Sequence, residues 1–207
     1  GNRRKSLYRS WPKLWRPPIL VMDNSATQSH KKVAAIILAA GGSTRMGQPK
    51  LLLDWHGQPL VRWVACLALY AGCAPVVVVT GANAEEIRQA LDGLPLIFTH
   101  NPDWQTGQSG SVKAGVYMLP EDVDAVLVFL GDQPHIPPRV PRELLRVYQQ
   151  DEPAEVILIP THKGKRANPV LLERRTFEPL GRLSGDTGAR LLFSQYPVKL
   201  IPFEEPD

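Results

Sequence analysis

The sequence predicts an α/β fold in which a mostly parallel central sheet is covered by helices on both faces. Residues 76–79 and 126–130 are uninterrupted apolar runs, and strands that are apolar on both sides are typical of a parallel sheet buried between helices. Predicted strands and helices also alternate along residues 33–130, as they do in consecutive βαβ units.

The first half of the chain has a regular order of predicted elements. A strand at 33–38 runs into a glycine-rich turn, and the next helix begins near Pro59 and ends at Gly72, which are the residue types preferred at the two ends of a helix. The remaining predicted elements are a strand at 75–80, a helix at 84–91, a strand at 94–98, a helix at 109–119 and a strand at 124–130.

The second half is less regular, although its apolar segments still predict alternating elements. These are a helix at 139–150, a strand at 155–159, a polar and basic loop at 161–167, an extended segment at 168–172, a helix at 186–195 and a last strand at 198–201.

The composition of the 207 residues predicts one domain with a sizeable core. The formal net charge of +4 is misleading, because six basic residues precede the first acidic residue, Asp23; the rest of the chain has 18 basic and 20 acidic residues, a net charge of −2. Because those cations are scattered along the chain, we expect no nucleic acid among its partners.

Residues 1–32 form a basic leader that differs from the rest of the chain. The leader contains tryptophans and prolines without helical or strand periodicity, so we expect residues 33–207 alone to form the domain. Its longest apolar stretch, 17–22, is too short for a signal-peptide core or a membrane span, which predicts a cytoplasmic protein without a membrane partner. Two alternatives stay open, a start at Met22 and a native tail that contacts a partner or a membrane surface.

Cys66 and Cys73 are the only cysteines in the sequence. Two cysteines cannot build a disulfide framework or a four-ligand zinc site. We expect both to be buried as small apolar residues.

The glycine-rich turn after the first strand carries the strongest functional signal. Small residues allow a ligand to approach the backbone closely, successive N–H groups attract an anion, and two cations follow. A polyphosphate suits this combination better than a neutral ligand does. The predicted nucleotide-binding residues here are Leu38, Ala39, Ala40, Gly41, Gly42, Ser43, Arg45 and Lys50.

Two common glycine-rich nucleotide loops do not fit the letters of this turn. A Walker A loop closing at Gly47 requires Lys where Gln48 stands, and a dinucleotide fingerprint starting at Gly41 requires Gly where Ser43 stands. The turn therefore predicts a nucleoside-triphosphate site of another kind.

Two aspartates from distant parts of the chain are the predicted metal ligands. Asp132 directly follows an apolar strand, and Asp186 lies between two glycines at a predicted helix start. Mg²⁺ commonly takes one or two protein carboxylates and completes its shell with water and substrate phosphates. The alternatives are an ordinary turn residue for Asp132 and a helix N-cap for Asp186.

Two further segments are candidate contacts for the two substrates. In the segment 101–111, Gly107, Ser109 and Ser111 are predicted to bind the nucleotide, and helix capping by one of the serines is the alternative. The basic cluster His162, Lys163, Lys165 and Arg166 is either a solvated loop or a cradle for an acidic acceptor. The predicted acceptor-binding residues are Gln133, Arg166, Asn168 and Pro169.

Five motifs occur in one order along the chain: LAAGxxxRMGxxK, NPxWxxGxxxS, GDQP, NPVLL and SGDxGAR. This series, spanning residues 33–201, resembles that of the molybdenum cofactor cytidylyltransferases. The resemblance implies a Rossmann-like nucleotidyltransferase fold and transfer of CMP from CTP to the phosphate of molybdopterin, with release of pyrophosphate. Carried over by position, Arg45 and Lys50 hold the triphosphate and Asp132 and Asp186 hold Mg²⁺, and these four are the predicted catalytic residues.

The resemblance also implies a partner and has one departure inside the motifs. The protein partner that it implies is a molybdoenzyme or its chaperone. Ala167 stands where relatives often carry Gly, which leaves the acceptor open, and Ala40, where guanylyl-transferring relatives tend to carry Gly, favours CTP over GTP, with ATP as an alternative. The alternatives are a sugar phosphate or other small phosphorylated acceptor, and a non-catalytic module for nucleotide sensing or cofactor delivery.

Overall fold

The computed structural model describes most of the chain from Lys31 to Phe203. The described residues are 31–42, 49–150, 156–182 and 188–203. Residues 1–30 of the predicted leader and the predicted site residues Ser43, Arg45 and Asp186 lie outside these ranges. The last two leader residues are described, and the N–H groups of Lys31 and Lys32 donate to Gln149 at 3.0 Å and to Asp124 at 2.6 Å.

The described elements alternate between strands and helices through most of the chain. The strands are β1 (Val33–Ala39), β2 (Asp54–Trp55), β3 (Gln58–Pro59), β4 (Val76–Thr80), β5 (Ile97–His100), β6 (Ala125–Leu130), β7 (Ile157–His162), β8 (Lys165–Arg166), β9 (Val170–Glu173) and β10 (Val198–Pro202). The helices are α1 (Leu60–Ala71), α2 (Ala84–Ala90), α3 (Gln108–Tyr117), α4 (Arg139–Gln150) and α5 (Phe177–Arg182). Short 3₁₀ turns lie at Lys50–Leu52, Trp104–Thr106, Arg174–Thr176 and Gly188–Ser194.

The main sheet has the strand order β10-β7-β9-β6-β1-β4-β5, with β8 paired to β7. The pairs β1–β4, β1–β6, β4–β5 and β7–β10 are parallel. β9 is antiparallel to both β6 and β7. The predicted α/β architecture with a mostly parallel sheet is confirmed.

The core consists of two apolar layers, one on each face of the sheet. Val33, Ala35 and Ile37 of β1 belong to the layer that α1, α2 and α4 cover, whereas Ala34 and Ile36 belong to the layer under α3 and α5. Successive side chains of a strand point to opposite faces, so nearly every residue of a central strand is buried in one layer or the other. The strands are therefore continuous hydrophobic runs in the sequence.

Several predicted boundaries match the structure closely. α1 ends at Gly72, whose φ of 94° is in the left-handed region that favours glycine. α4 has the predicted bounds 139–150. Cys66 and Cys73 are buried as predicted, and burial raises the pKa of both thiols.

Other predictions about local structure were wrong. The strand expected at 94–98 begins at Ile97, and the loop expected at 161–167 is a hairpin of β7 and β8. Lys163 and Gly164 both have positive φ, 49° and 72°, so they form a tight turn that lets a basic segment pair as strands. The helix expected at 186–195 is a 3₁₀ turn over its described part. The small β2–β3 hairpin and α5 were not predicted.

Candidate active site

The predicted site residues that the structure describes come together at one edge of the sheet. Because β1, β4, β5, β6, β7 and β10 all run in the same direction, their carboxyl ends meet at this edge. Ligands of open α/β sheets bind outside the carboxyl ends of the strands. The edge is therefore the expected position for an active site.

A cleft of ≈ 570 Å³ opens at this edge. Its lining includes Leu38, the residue before the end of β1, and Leu130, the last residue of the neighbouring strand β6. The other lining residues are Ala40, Gly41, Lys50, Leu51, Trp104, Gln105, Thr106, Gly107, Gln108, Ser111 and Asp132.

The described part of the glycine-rich turn leaves β1 and passes close to the end of β4. The N–H of Ala82 donates to the carbonyl of Ala40 at 3.1 Å. A Cβ on Gly81 would lie 2.4 Å from that carbonyl oxygen, and a Cβ on Gly42 would lie 2.6 Å from the ring of Trp104. Any side chain at Gly81 or Gly42 would therefore force its neighbour to move.

The charged groups that line the cleft are Lys50 and Asp132. The Nζ of Lys50 donates to Oδ2 of Asp132 at 2.8 Å, and the two side chains are 43% and 40% exposed. The residue before Asp132 is fixed to β1, since the N–H of Gly131 donates to the carbonyl of Leu38 at 3.0 Å. A Cβ on Gly131 would lie 2.9 Å from that oxygen, so glycine allows this close approach.

The segment between β5 and α3 is organised by the buried Asn101. Its Nδ2 donates to Oγ of Ser111 at 3.0 Å, and its Oδ1 accepts from the N–H of Asp103 at 3.1 Å. Gly110 lies under this amide, where a Cβ would be 3.1 Å from Nδ2. The Asn101 side chain therefore fixes the start of α3 relative to the end of the sheet.

The start of α3 differs from the predicted capping arrangement. The N-cap is Gly107, and no side chain caps the helix, so neither predicted serine has that role. Ser111 lines the cleft, but Ser109 is not among the lining residues. Ser109 is buried, and its Oγ has no hydrogen-bond partner among the described residues.

The beginning of α3 is turned toward the cleft. Gly107, Gln108 and Ser111 all line it. The first N–H groups of a helix have no partner within the helix, and they carry partial positive charge. This end of α3 is thus suited to hydrogen-bond an anion or the polar edge of a base.

The predicted acceptor residues are not in the lining of the cleft, but two of them, Gln133 and Asn168, are joined next to Asp132. Asn168, after β8, donates through Nδ2 to Oε1 of Gln133 at 3.0 Å. Arg166 is exposed, with its guanidinium 5.5 Å from the centre of the Phe193 ring, whereas Pro169 is buried. The segment that follows β8 and the loop that follows β6 are therefore connected by one side-chain hydrogen bond.

The described residues contain no group of three His, Cys, Asp or Glu side chains arranged to hold a metal ion. Within the described ranges, Asp132 is the carboxylate in the lining of the cleft. A single carboxylate fits Mg²⁺, which keeps water and takes phosphate oxygens, better than a metal that needs a full set of protein ligands.

Five residues that line the cleft were not predicted as site residues from the sequence: Leu51, Trp104, Gln105, Thr106 and Gln108. Their position after the ends of the strands could have indicated them. Residues 104–108 follow the carboxyl end of β5, which is the edge where ligands bind. Leu51 follows Lys50 in the same 3₁₀ turn, and its side chain packs under Gly131.

A search of the described residues for a long apolar helix able to cross a membrane finds no candidate.

Two relatives illustrate what the chain is similar to. It is 32% identical over 170 residues to the "Nicotine blue oxidoreductase" of Paenarthrobacter nicotinovorans, a match that covers 80% of this chain and 83% of that one. It is 34% identical over 154 residues to the "Bifunctional protein GlmU" of Syntrophotalea carbinolica. That match covers 73% of this chain but 30% of the bifunctional protein, so the chain corresponds to one part of the longer relative.

A solved structure supports the fold assignment. The crystal structure of Rv0371c from Mycobacterium tuberculosis H37Rv has a TM-score of 0.74, 24% sequence identity, and coverage of 86% of this chain and 91% of that chain. A manganese complex of Rv0371c matches with a TM-score of 0.70.

The family model described as "MobA-like NTP transferase domain" matches residues 35–200, from β1 to β10. The match covers most of the chain, including every described segment that lines the cleft. The chain therefore belongs to the MobA-like NTP transferase domain family of nucleotidyltransferases.

Proposed function

We propose that this nucleotidyltransferase transfers CMP from CTP to the phosphate of a molybdopterin-type acceptor and releases pyrophosphate. The observation that carries the proposal is the meeting of Lys50 and Asp132 at 2.8 Å in a cleft bordered by the glycine-rich turn and the start of α3. A cation, a carboxylate and two sets of backbone donors are the groups that a metal-bound triphosphate needs.

The triphosphate is held mainly by charge and by backbone donors. Gly41 and Gly42 allow phosphate oxygens to approach the N–H groups of the turn. Lys50 contributes a point charge, and Arg45, from the same turn, contributes a planar fork that can bind two oxygens. These cations stabilise the negative charge that develops on the departing pyrophosphate.

Asp132, together with Asp186, would hold Mg²⁺, which supplies charge neutralisation to the phosphates. The Asp132 side chain is 40% exposed in the cleft, which leaves room for an ion together with its water and phosphate ligands. An ion held by Asp132 would compete with the Lys50 ammonium group for the same carboxylate oxygen.

The reaction is an in-line substitution at the α-phosphorus of CTP. An oxygen of the acceptor phosphate forms the new bond, the bond from the α-phosphorus to the bridging oxygen of pyrophosphate breaks, and that oxygen keeps the electron pair. No covalent enzyme intermediate is needed, because the protein has only to align the two phosphates and neutralise them.

The acceptor binds on the side of Asp132 that faces the β7–β8 hairpin. The cations Lys163, Lys165 and Arg166 are exposed there, and exposed cations attract a phosphorylated molecule. The hydrogen bond from Asn168 to Gln133 connects this hairpin to the loop of Asp132. An acceptor bound by Arg166, Asn168 and Gln133 therefore has its phosphate next to the nucleotide.

A redox activity is the second candidate, because the relative that covers 80% of this chain is named an oxidoreductase. The paired Lys50 and Asp132 favour phosphate chemistry, because a cation and a carboxylate are groups that a metal-bound triphosphate needs. The two candidates differ in their products, so one assay can separate them.

The test measures pyrophosphate release with each nucleoside triphosphate and Mg²⁺, with molybdopterin-bound molybdenum, a sugar 1-phosphate or no acceptor. We expect release with CTP and the molybdenum cofactor. Release with a sugar phosphate alone would replace the acceptor, and release with ATP alone would replace the nucleotide. No release in any pairing, together with substrate-dependent oxidation of NADH or NADPH, would favour the redox candidate and reject the proposal.

A further inference from the structure

Two segments that carry the charged groups of the cleft lie side by side. Residues 50–55 run from the 3₁₀ turn of Lys50 into β2, and residues 131–135 follow β6. Three contacts join them. Lys50 pairs with Asp132 at 2.8 Å, Leu51 packs against Gly131, and the ring of Trp55 lies edge-on to that of His135 with centroids 4.3 Å apart and an angle of 77°.

The innermost contact is rigid, because Leu51 is buried in the core and its Cδ2 would lie 3.2 Å from a Cβ on Gly131. The charged contact in the middle, between Lys50 and Asp132, is not rigid. Both of its side chains are about two-fifths exposed, and exposed ion pairs contribute only ~0–1 kcal/mol. A pair this weak cannot by itself keep two segments in a fixed relative position.

The outermost contact joins a half-buried ring, Trp55, to an exposed ring, His135, and the segment that carries each ring is anchored separately. Trp55 lies on the β2–β3 hairpin, which is closed by a hydrogen bond from the N–H of Leu60 to the carbonyl of Leu53 at 3.0 Å. His135 is followed by Ile136, which is anchored in the core. An edge-to-face aromatic contact is directional as well as attractive.

We infer that Trp55 and His135 are positioning residues that hold Lys50 against Asp132. We call this ring contact the aromatic strut. Neither ring is among the residues that line the cleft, so the strut acts through the two charged side chains and not on the substrate. The catalytic consequence of the inference rests on the proposed function, whereas its structural content does not.

The structural part is tested by amide hydrogen exchange on the full chain without ligand. The reporting amides are those of Leu52, Leu53 and Gln133, whose hydrogen bonds close the turns around Lys50 and Asp132. We expect Trp55→Ala to speed their exchange by about tenfold, and Trp55→Phe to speed it much less, because a smaller ring still fills the position.

Two controls accompany this measurement. His56→Asn removes another imidazole that contacts Trp55, with rings 4.9 Å apart, but it leaves the strut intact, and Asn tolerates the φ of 53° at this position. We expect it to behave like the wild type. Amides of β4 report on global unfolding and should exchange at an unchanged rate. Unchanged exchange at all three reporting amides in Trp55→Ala would overturn the inference.

The catalytic part is tested by steady-state kinetics on the same variants and on Lys50→Ala. We expect Trp55→Ala to lower kcat about tenfold with a smaller change in KM for the nucleotide, and Trp55→Phe to restore most of kcat. Because the strut acts through Lys50, adding Trp55→Ala to Lys50→Ala should cost little more. If the losses of kcat in the two single variants added fully in the double variant, the inference would be contradicted. If the wild type showed no turnover, the proposed function would be rejected, and the hydrogen-exchange measurement alone would test the strut.

Discussion

Lys50 and Asp132 are 82 positions apart in the chain, yet Nζ of the first lies 2.8 Å from Oδ2 of the second. Two different strands bring them there, since Lys50 follows β1 and Asp132 follows β6. Each group keeps about two-fifths of its side-chain exposure. The pair is therefore screened by water and can exchange its internal contact for a ligand at low cost.

Asp132→Asn should abolish turnover and leave the fold intact. The change removes the charge of the proposed metal ligand with almost no change of volume, and loss of a key charge-stabilising group typically costs about 100-fold or more in rate. The matched control is Asp122→Asn, which makes the same change in the Lys32–Asp122 ion pair away from the cleft. We expect both variants to keep the wild-type melting temperature and only Asp132→Asn to lose pyrophosphate release. A rate above about a tenth of the wild type in saturating Mg²⁺ would contradict the role.

Replacing Lys50 by Ala should lower kcat more than it raises KM for the nucleotide, because the ammonium group is proposed to stabilise the leaving pyrophosphate. Lys50→Arg keeps the charge and should be milder. The measurement is the initial rate over a range of CTP concentrations at fixed Mg²⁺ and acceptor. An increase in KM alone would show that Lys50 contributes only to ground-state binding.

Gly42→Ala should destabilise the protein, because its Cβ would lie 2.6 Å from the Trp104 ring. Overpacking of this kind costs about 1–3 kcal/mol. Gly41→Ala is the matched control, since no atom of the described residues beyond its chain neighbours lies within 4 Å of its Cβ position. Thermal unfolding compares the two variants. In a Trp104→Ala background the ring is absent, so adding Gly42→Ala should lower the free energy of unfolding much less than it does in the wild type. Equal melting temperatures for the two glycine variants would contradict the close packing.

Asn168→Ala should raise KM for the acceptor while KM for CTP stays unchanged. The variant removes the hydrogen bond to Gln133, whose net contribution is about 1 kcal/mol, so the expected increase is about fivefold. The internal control is the CTP titration of the same variant. Equal increases in both constants would assign Asn168 to the whole site instead of the acceptor side.

The protein should lose stability above about pH 9. Burial raises the pKa of Cys66 from 9.0 to about 11 and that of Cys73 from 9.0 to about 12. Both thiols therefore stay protonated in the folded state at pH values where the unfolded chain has lost these protons. The stabilisation is complete below pH 9.0 and is lost as the pH rises toward the folded-state values, by up to about 1.4 kcal/mol per pH unit for each thiol.

Denaturant unfolding at a series of pH values measures this dependence. In Cys66→Ala/Cys73→Ala, the free energy of unfolding should fall less steeply with pH above 9.0. Burial also raises the pKa of Tyr148. Because Tyr148 is present in both proteins, it gives both the same remaining dependence of the free energy of unfolding on pH. Identical slopes in the two proteins would contradict burial of the thiols.

Much of the fold could be predicted because strand and helix residues differ in period. β1, β4 and β6 are apolar on both faces, and α1 and α4 have their predicted bounds because the apolar pattern and the residues at their ends agree. The β7–β8 hairpin could not be predicted from apolar periodicity, since its second strand is Lys165–Arg166 and forms through the turn at Lys163 and Gly164. A basic segment that pairs through its backbone resembles a solvated loop in sequence.

The site could be predicted at the level of single motifs but not as an arrangement. Gly41, Lys50 and Asp132 were identified and line one cleft. The buried position of Ser109 could not be foreseen, because the direction of a side chain near a helix start depends on which residue begins the helix, and Gly107 takes the cap. The contact of Trp55 with His135 depends on how two distant segments pack, which local pattern does not encode.

The antiparallel pairing of β9 with β6 divides the sheet into two halves with separate tasks. One half, with β1, β4, β5 and β6, surrounds the cleft; the other, with β7, β8, β9 and β10, carries the cationic hairpin. Insertions and substitutions in the second half would change the surface that carries the cationic hairpin while β1, β4, β5 and β6 keep their positions in the sheet. Under the proposed function, a lineage with this architecture could acquire new acceptors while it keeps the groups that bind the nucleotide.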